Sequence, residues 1–287
     1  MFHTLFGFGS GSQVGQEESR FNTEHLGSEG LLDYELFVDR DENLKKSVEV
    51  LRSDRRPLVI EGEEGVGKTC LLTAIKRSFM NLSMREGEIL RVSEIDSEMM
   101  NPEDLVREVG REWGLSVERQ DFDPVNLASE MCEKLESSES YLLLVEIPKE
   151  FSEVSEENRD KLLDIFSSLT EAEDESGEPK ISLVLAGSPS ILTLLGSDER
   201  VVEGLDAEKI CLQGLNRGDF DNYLDKYLAY SELNPDFVVE SGREEIFERS
   251  GGVPSRVNSV IEQLIQSISG QGPIPRINRD RVEEALG

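Results

Sequence analysis

Eight consecutive residues combine three glycines, a lysine and a hydroxyl at fixed spacing. They are Gly62, Glu63, Glu64, Gly65, Val66, Gly67, Lys68 and Thr69. Together they complete the pattern G-x-x-x-x-G-K-[ST]. The glycines let successive backbone N–H groups turn inward, and Lys68 adds a positive charge for the β and γ oxygens of a polyphosphate. The pattern predicts a phosphate-binding loop, and the alternative is a glycine-rich turn that binds nothing.

The flanking residues place this loop between a strand and a helix. Residues 58–60 form a short apolar run before it, and residues 70–79 carry an apolar stripe at helical spacing after it. The positive end of that helix's dipole would lie beneath the phosphates, so Cys70 joins the eight loop residues as a candidate nucleotide-binding residue. Thr69 supplies a hydroxyl that can join the shell of Mg²⁺.

A second apolar run ends in an acid, Glu146. Residues 141–145 are apolar at every position, as in a central parallel strand that helices cover on both faces. Ligands of open parallel sheets collect at the carboxyl ends of the strands. We therefore expect Glu146 to act in catalysis and to hold Mg²⁺ together with Thr69. A solvated acid at a strand end is the alternative.

The residue after Glu146 bears on the rate of hydrolysis. Many ATPases keep a glutamate there that activates water, and this chain has Ile147. One positioned base contributes roughly 10² to 10⁴ in rate. Hydrolysis should therefore be slow unless Glu150 or another acid substitutes, which makes Glu150 a candidate catalytic residue.

A third candidate catalytic residue, Ser188, follows the apolar run 181–186 and Gly187. Beside the phosphate loop, its hydroxyl could hydrogen-bond the γ-phosphate or the attacking water. Alternatively, residues 188–190 cap a helix over residues 191–195. The sequence leaves both interpretations open.

Strand and helix patterns alternate along the first part of the chain and then give way to helices alone. Strands are predicted at 58–60, 89–92, 141–146, 181–186 and 209–212, with helices at 41–51, 70–81, 102–113, 127–135 and 160–169. Four further helices are predicted at 220–228, 244–249, 256–268 and 279–286. This order predicts an α/β domain with a parallel central sheet over residues 31–213 and a small all-α lid domain over residues 214–287. Residues 1–30, rich in glycine and serine, are expected to form a flexible lead-in.

The charge balance argues against a nucleic-acid-binding surface over most of the molecule. The 287 residues carry 60 acidic and 30 basic side chains, a formal net charge of −30. Such a surface repels nucleic acid. Because the acids are spread along the chain, they favour solvation in a high-salt cytoplasm over one acidic face for a basic partner.

The lengths of the apolar runs and the number of cysteines indicate the compartment in which the protein occurs. No run reaches the roughly 18 residues of a membrane helix, and the N-terminus lacks the pattern of a signal peptide. We therefore expect a soluble, cytoplasmic protein without a membrane span. Cys70, Cys132 and Cys211 have neither metal-ligand spacing nor the even count of a disulfide framework. We expect buried free thiols.

These motifs, together with Gly251-Gly252-Val253-Pro254 at a helix start, occur in an order that resembles AAA+-related P-loop ATPases. The likeness covers residues 36–287 and is nearest to the initiator clade, the archaeal STAND-like ATPases and the ExeA and TniB group. It implies ATP with Mg²⁺ as the ligand. The stretch 37–42, Phe-Val-Asp-Arg-Asp-Glu, resembles an opening motif that lies against the adenine, which makes Val38 a candidate binding residue.

The chain also departs from these families. Where initiators have a Ser-Arg pair that reaches a neighbour's nucleotide, it has Glu203-Gly204, so an arginine finger is not evident unless Arg200 serves, and a homo-oligomer stays open. After the lid proline it has Ser255 and then Arg256, and the resemblance makes Arg256 a candidate sensor of the γ-phosphate. Initiators continue into a winged-helix domain, which we do not expect before Gly287.

Three hypotheses for function follow. The leading one is an ATP-dependent switch that acts on a protein partner and is reset by slow hydrolysis. The second is a DNA-associated initiator or transposition-type ATPase, and the third is a non-hydrolysing structural adaptor. Local support for DNA comes only from two arginine clusters, for which solvated surface arginines are the preferred interpretation. The clusters are Arg52, Arg55 and Arg56, and Arg276, Arg279 and Arg281.

Overall fold

One parallel sheet of five strands forms the centre of the first part of the chain. The structure, a computed structural model, describes residues 40–95, 101–115, 122–136, 138–174, 176–195, 205–231, 233–268 and 276–286. The strands are β1 (Leu58–Gly62), β2 (Ile89–Ile95), β3 (Glu139–Glu146), β4 (Ile181–Gly187) and β5 (Glu208–Leu212). Their spatial order is β2-β3-β4-β1-β5, and every neighbouring pair is parallel.

Helices flank the sheet and connect its strands. Those before β5 are α1 (Asp41–Glu49), α2 (Lys68–Glu86), α3 (Pro102–Glu112), α4 (Pro124–Glu133), α5 (Glu156–Thr170) and α6 (Pro189–Leu195). A π-helical turn (Val50–Asp54) extends α1, and a 3₁₀ turn (Lys149–Glu153) follows β3. Parallel strands need such crossovers, which is why each strand is followed by a helix.

Alternating side chains of the strands supply two separate cores. Val59, Leu143 and Leu185 pack on one face of the sheet with α3, α4 and α5. Leu58 and Leu142 point to the other face, where they pack with α2. Side chains of successive strand residues point to opposite faces, so a strand that is apolar throughout serves both cores. This explains the unbroken apolar run in β3.

The last part of the chain is helical and has a core of its own. Its helices are α7 (Arg217–Tyr230), α8 (Glu240–Ser250), α9 (Pro254–Ile268) and α10 (Arg279–Leu286), with a 3₁₀ turn at Pro235–Phe237. Phe220 and Val257 are fully buried there, and Phe220 meets Phe247 edge-to-face with ring centroids 5.1 Å apart. The predicted fold class, a parallel α/β fold followed by a helical region, is confirmed. The limits 31–213 and 214–287 stay predictions.

Several elements are longer than the sequence patterns indicate. Helix α2 starts at Lys68, inside the loop motif, and runs to Glu86, where Gly87 ends it in a left-handed conformation with φ 74°. Helix α5 starts four residues before the predicted 160, because Ser155 caps it by accepting from the Asn158 N–H. Apolar periodicity detects the buried turns of a helix and misses the exposed ones, which here are polar and capped.

The sequence also predicts that the chain has no membrane span and that its cysteines are buried free thiols. Among the described helices, none is both long and apolar enough to cross a membrane. The expectation of buried thiols is wrong for Cys211, which is exposed, and Cys70 and Cys132 are only partly buried. Burial raises the pKa of the Cys132 thiol to about 11, so this thiol is unreactive near neutral pH.

Candidate functional site

The strand order brings three separate stretches of sequence to one edge of the sheet. Strand β4 lies between β1 and β3. The residues that leave these three strands at their carboxyl ends therefore lie side by side, and they are the loop after Gly62, Ser188 and Glu146. The carboxyl edge of a parallel sheet is where ligands bind in this class of fold.

Backbone conformation explains the glycines of the loop. Gly65 and Gly67 have φ angles of 77° and 105°. These values lie in the left-handed region, which residues with a Cβ rarely adopt. At Gly62 the constraint is space, because a Cβ there would lie 2.7 Å from Cγ1 of Val66 and 3.0 Å from the Leu212 carbonyl oxygen. The Val66 side chain is buried and anchors the loop between β1 and β5.

Lys68 lies within this loop and is only 8% exposed. Its Nζ donates to the carbonyl oxygens of Gly62 at 3.1 Å and of Glu63 at 2.9 Å. Burial lowers the pKa of Lys68, and the nearby carboxylates of Glu146 and Glu64 oppose this shift. A buried ammonium favours an anionic partner more strongly than an exposed one, so the environment of Lys68 suits phosphate oxygens.

Thr69 and Glu146 form a direct contact across β4. Thr69 Oγ1 lies 2.8 Å from Oε2 and 3.0 Å from Oε1 of Glu146, and its hydroxyl donates to that carboxylate. P-loop NTPases usually have an aspartate as this acid, and glutamate is one methylene longer. The longer side chain contacts the first turn of α2 through Thr69. The two predicted metal-binding residues therefore lie together.

The oxygen atoms of Thr69 and Glu146 fit Mg²⁺ in a nucleotide complex. Mg²⁺ bound with nucleotides takes one or two protein oxygens and completes its shell with phosphate oxygens and water. Within the described residues, no group of three or more His, Cys, Asp or Glu side chains could hold a metal by itself. A hydroxyl and a carboxylate beside the loop are the donor set that such a shared site needs.

The other predicted catalytic residues follow the carboxyl ends of β3 and β4, at the same edge of the sheet. Ser188 immediately precedes α6, and its Oγ lies 3.1 Å from Oγ of Ser190; its backbone oxygen accepts from the Leu192 N–H. Ile147 is buried, and its N–H donates to the Ala186 carbonyl at 2.8 Å. Glu150 is exposed on the 3₁₀ turn after β3. The catalytic roles of Ser188 and Glu150 stay predictions.

The start of α9 rests on the phosphate loop. The Ser255 N–H donates to the Gly65 carbonyl at 3.2 Å, and Arg256 Nη2 lies 2.6 Å from Oε2 of Glu63. A Cβ on Gly65 would lie 1.7 Å from Ser255 Oγ, so only glycine allows this approach. The predicted γ-phosphate sensor, Arg256, is thus held beside the loop by a loop carboxylate.

Arg40 is a site residue whose position the sequence did not reveal. It is 8% exposed, and its Nη2 donates to the Val66 carbonyl at 3.2 Å and to the Gln213 carbonyl at 2.7 Å. The arginine belongs to the opening motif at residues 37–42, which was the available signal. Val38 of that motif lies outside the described residues, as do Arg200, Glu203 and Gly204.

The arginines behind the DNA hypothesis are mostly paired with acids. Arg52 pairs with Glu86 and Glu88, and Arg55 pairs with Glu178. The remaining pairs are those of Arg56 with Asp206 and Glu208, of Arg279 with Glu244, Glu245 and Glu248, and of Arg281 with Glu284. This pairing agrees with the interpretation of both clusters as surface arginines.

Solved structures with the same fold include two ORC proteins and one domain of a replication initiation protein. The Aeropyrum pernix ORC1 protein in complex with DNA has a TM-score of 0.62 at 15% identity, over 89% of this chain and 67% of that chain. The ORC2 protein of the same organism, solved as ADPNP-ADP complexes, has a TM-score of 0.60 at 15% identity, over 86% and 67%. Domain III of the Thermotoga maritima replication initiation protein DnaA has a TM-score of 0.54 at 19% identity, over 88% and 94%. At these identities the likeness concerns the fold.

Sequence comparison adds the family. No curated protein sequence matches the chain. The family model described as AAA domain matches residues 51–195, about half of the 287 residues, and this range holds the phosphate loop, Glu146 and Ser188. With the loop, the strand order and the helical region in agreement, the chain belongs to the AAA+ P-loop ATPases.

Proposed function

We propose that this protein binds Mg²⁺ and ATP at the phosphate loop and acts as a slowly hydrolysing, nucleotide-dependent switch on a protein partner. The observation that carries the proposal is the convergence of Lys68, Thr69 and Glu146 at one edge of the sheet. Lys68 is buried against the loop, and the Thr69 hydroxyl contacts the Glu146 carboxylate at 2.8 Å. These are the cation, hydroxyl and acid that a metal-bound triphosphate requires.

Each residue has a defined part in this proposal. The backbone N–H groups of the loop and the N-terminus of α2 orient the phosphates. Lys68 exchanges its two carbonyl acceptors for phosphate oxygens, which are stronger acceptors because they carry charge. Thr69 and Glu146 hold Mg²⁺, which when bound neutralises charge on the β and γ phosphates.

Slow hydrolysis is proposed from what lies next to Glu146. Ile147 occupies the position of an activating base and is 4% exposed, as part of the core. A buried isoleucine has no group that accepts a proton, so the base for the attacking water would be Glu146 or the exposed Glu150, and the Ser188 hydroxyl would only hydrogen-bond that water. A switch needs a long-lived triphosphate state, and slow hydrolysis provides it.

The switch itself is proposed to lie between the loop and the start of α9. Ser255 contacts Gly65, and Arg256 contacts Glu63. A ligand that moves the loop therefore also changes the contacts that hold the start of α9. We propose residues 31–213 and 214–287 as the two units whose relative position changes. A protein is the proposed partner, because the net charge of −30 and the acid-paired arginines disfavour DNA.

Titration of a fluorescent ATP analogue tests the binding site. Lys68→Ala should weaken binding at least about 100-fold, because a charge-assisted contact to phosphate is lost within a buried site. Lys76→Ala is the matched control, since Lys76 lies on the same helix and pairs with Glu94 at an exposed position. Control and wild type should bind equally. Equal affinity of Lys68→Ala and wild type would mean that the loop is not the site.

A further inference from the structure

Arg40 belongs to a closed circuit of contacts between the phosphate loop and the helical region. Three links of the circuit are made by four hydrogen bonds between segments that are far apart in sequence. Arg40 joins Val66 to Gln213, the Leu215 N–H donates to the Gly252 carbonyl at 2.8 Å, and the Ser255 N–H donates to the Gly65 carbonyl at 3.2 Å. The backbone from 213 to 215, from 252 to 255 and from 65 to 66 supplies the remaining links, so the path returns to its start.

Close backbone approaches make this circuit tight. A Cβ on Gly214 would lie 2.3 Å from the Gly251 carbonyl oxygen, and one on Gly252 would lie 2.2 Å from the Leu215 carbonyl oxygen. Together with the approach of Ser255 to Gly65, three glycines stand where the helical region meets the loop and the end of β5. With no side chain between them, a shift of one segment has to displace the next.

Arginine suits the Arg40 position for a geometric reason. Its Nη2 reaches two carbonyl oxygens that belong to different segments, Val66 of the loop and Gln213 just after β5. Both bonds come from one nitrogen, which the planar guanidinium holds in a fixed orientation, whereas the lysine ammonium has three N–H donors on a flexible stem. The Arg40 side chain is 8% exposed, and its hydrogen bond to the Val66 carbonyl is buried, so losing that bond removes a partner from a buried carbonyl.

We propose that Arg40 is a positioning residue that couples the phosphate loop to the helical region. It fixes the Val66 carbonyl to the end of β5, so the loop cannot rearrange around a ligand without moving Gly214 and Leu215. Those two residues are held to Gly252, two positions before α9. The coupling needs a nucleotide at the loop as its trigger, so this part of the proposal rests on the proposed function. The circuit of contacts itself does not require a nucleotide.

Hydrogen–deuterium exchange of two amides tests the circuit in the nucleotide-free chain. The amides of Leu215 and Ser255 donate across the circuit, so in the wild type they should open together, with protection factors within about threefold of each other. Arg40→Lys should speed exchange of both by at least about fivefold, the effect of losing one net hydrogen bond. The control Arg56→Lys makes the same change at a partly exposed arginine outside the circuit, whose side chain bonds Asp206 and Glu208. It should leave the exchange rates of both amides within about twofold of the wild type, as expected for a surface pair.

The same amides, measured with Mg²⁺ and ATP, test the coupling. In the wild type, nucleotide should slow exchange in the loop and at Leu215 and Ser255. In Arg40→Lys, nucleotide should still slow exchange in the loop. The slowing at Leu215 should fall by at least about half, because the variant has lost one hydrogen bond of the circuit.

Three results would overturn the proposal. These are wild-type protection factors of Leu215 and Ser255 that differ by more than about tenfold, unchanged exchange at both amides in a folded Arg40→Lys, and full nucleotide protection of Leu215 in that variant. If Arg40→Lys does not fold, the comparison of the protection factors of Leu215 and Ser255 in the wild type decides whether the circuit exists. If nucleotide protects nothing in the wild type, the proposed ATP site fails, and the nucleotide-free comparison still decides the circuit.

Discussion

Thr69 and Glu146 are 77 positions apart in sequence, yet their side chains are in hydrogen-bonding contact at 2.8 Å. Each could be predicted separately, one from the loop motif and one from an apolar run that ends in an acid. Their contact depends on β4 lying between β1 and β3, which local patterns do not encode. The residue types were thus readable from the sequence, and the distance between them was not.

Ile147 shows how the structure refines an interpretation at the residue scale. The sequence indicates a missing base, and the structure adds that this side chain is buried in the core that includes residues of α5 and α6. A glutamate at this position would carry a charge into an apolar site, which is costly. The chain therefore cannot regain a base by a single substitution at 147 without loss of stability.

Slow turnover is the first kinetic expectation. With Ile147 buried and Glu150 exposed, steady-state hydrolysis of ATP should run well below about 1 per second, the lower end of the kinase range. A coupled assay of phosphate release measures it, and Glu146→Gln should lower it further. The control is Glu153→Gln, which changes an exposed acid on the same 3₁₀ turn and should match the wild type. Turnover above about 1 per second that Glu150→Gln abolishes would contradict this account and assign the base to Glu150.

At the scale of elements, the strands were the most predictable part. The strands predicted at residues 141–146 and 181–186 correspond to β3 (Glu139–Glu146) and β4 (Ile181–Gly187). Helix limits were less predictable, because capping residues and exposed turns carry no apolar signal. Pro102 after Asn101 was the exception, since Asn101 caps α3 by accepting from the Glu103 N–H and proline suits the first helical turn.

Helix α7 supplies an element-scale prediction. Asn216 caps this helix, its Oδ1 accepting from the N–H groups of Gly218 and Asp219 at 3.0 and 3.1 Å. Asn216→Ala should lower the free energy of unfolding by about 1 kcal/mol, the usual cost of a lost cap. Urea denaturation followed by circular dichroism measures the difference. Ser259→Ala, on the exposed side of α9, is the control and should change stability by less than about 0.5 kcal/mol. A loss no larger than that of the control would mean that the cap does not stabilise α7.

At the scale of the whole molecule, charge is the dominant feature. The chain has 60 acidic and 30 basic residues, and many arginines pair with carboxylates, as Arg91 does with Glu139. This contact holds the pKa of Glu139 below its usual range, so its contribution to stability is present near neutral pH and is lost as the pH falls through the lowered pKa. The unpaired excess of acids acts in the opposite sense, through mutual repulsion.

Salt should therefore stabilise the fold. Between about 0.01 M and 1 M KCl the screening length falls from roughly 30 to 3 Å, which weakens repulsion among dispersed carboxylates more than contacts within ion pairs. The thermal midpoint should rise steadily over this range, as measured by differential scanning calorimetry. A midpoint that falls with KCl would show that the ion pairs outweigh the repulsion, and the high-salt interpretation of the composition would then be wrong.

The arrangement of the helical region against the loop was the least predictable feature. Sequence patterns predicted the helices, and the family resemblance singled out Arg256. The contacts of Ser255 with Gly65 and of Arg40 with Val66 and Gln213, however, join segments more than 25 residues apart. Such contacts depend on how two separately packed cores meet. Periodicity within one segment cannot report on this. Gly252 was singled out only as part of the stretch at a helix start, and Gly214 was not singled out by any pattern.

The most direct measurement for the account as a whole is a crystal structure with Mg²⁺ and a non-hydrolysable ATP analogue. The account predicts a triphosphate along the backbone N–H groups of residues 65–69, with Lys68 Nζ on phosphate oxygens instead of the carbonyls of Gly62 and Glu63. The metal should lie beside Thr69 and Glu146. An analogue bound elsewhere, or a loop in which Lys68 keeps both carbonyl contacts at saturating analogue, would contradict the proposed nucleotide site.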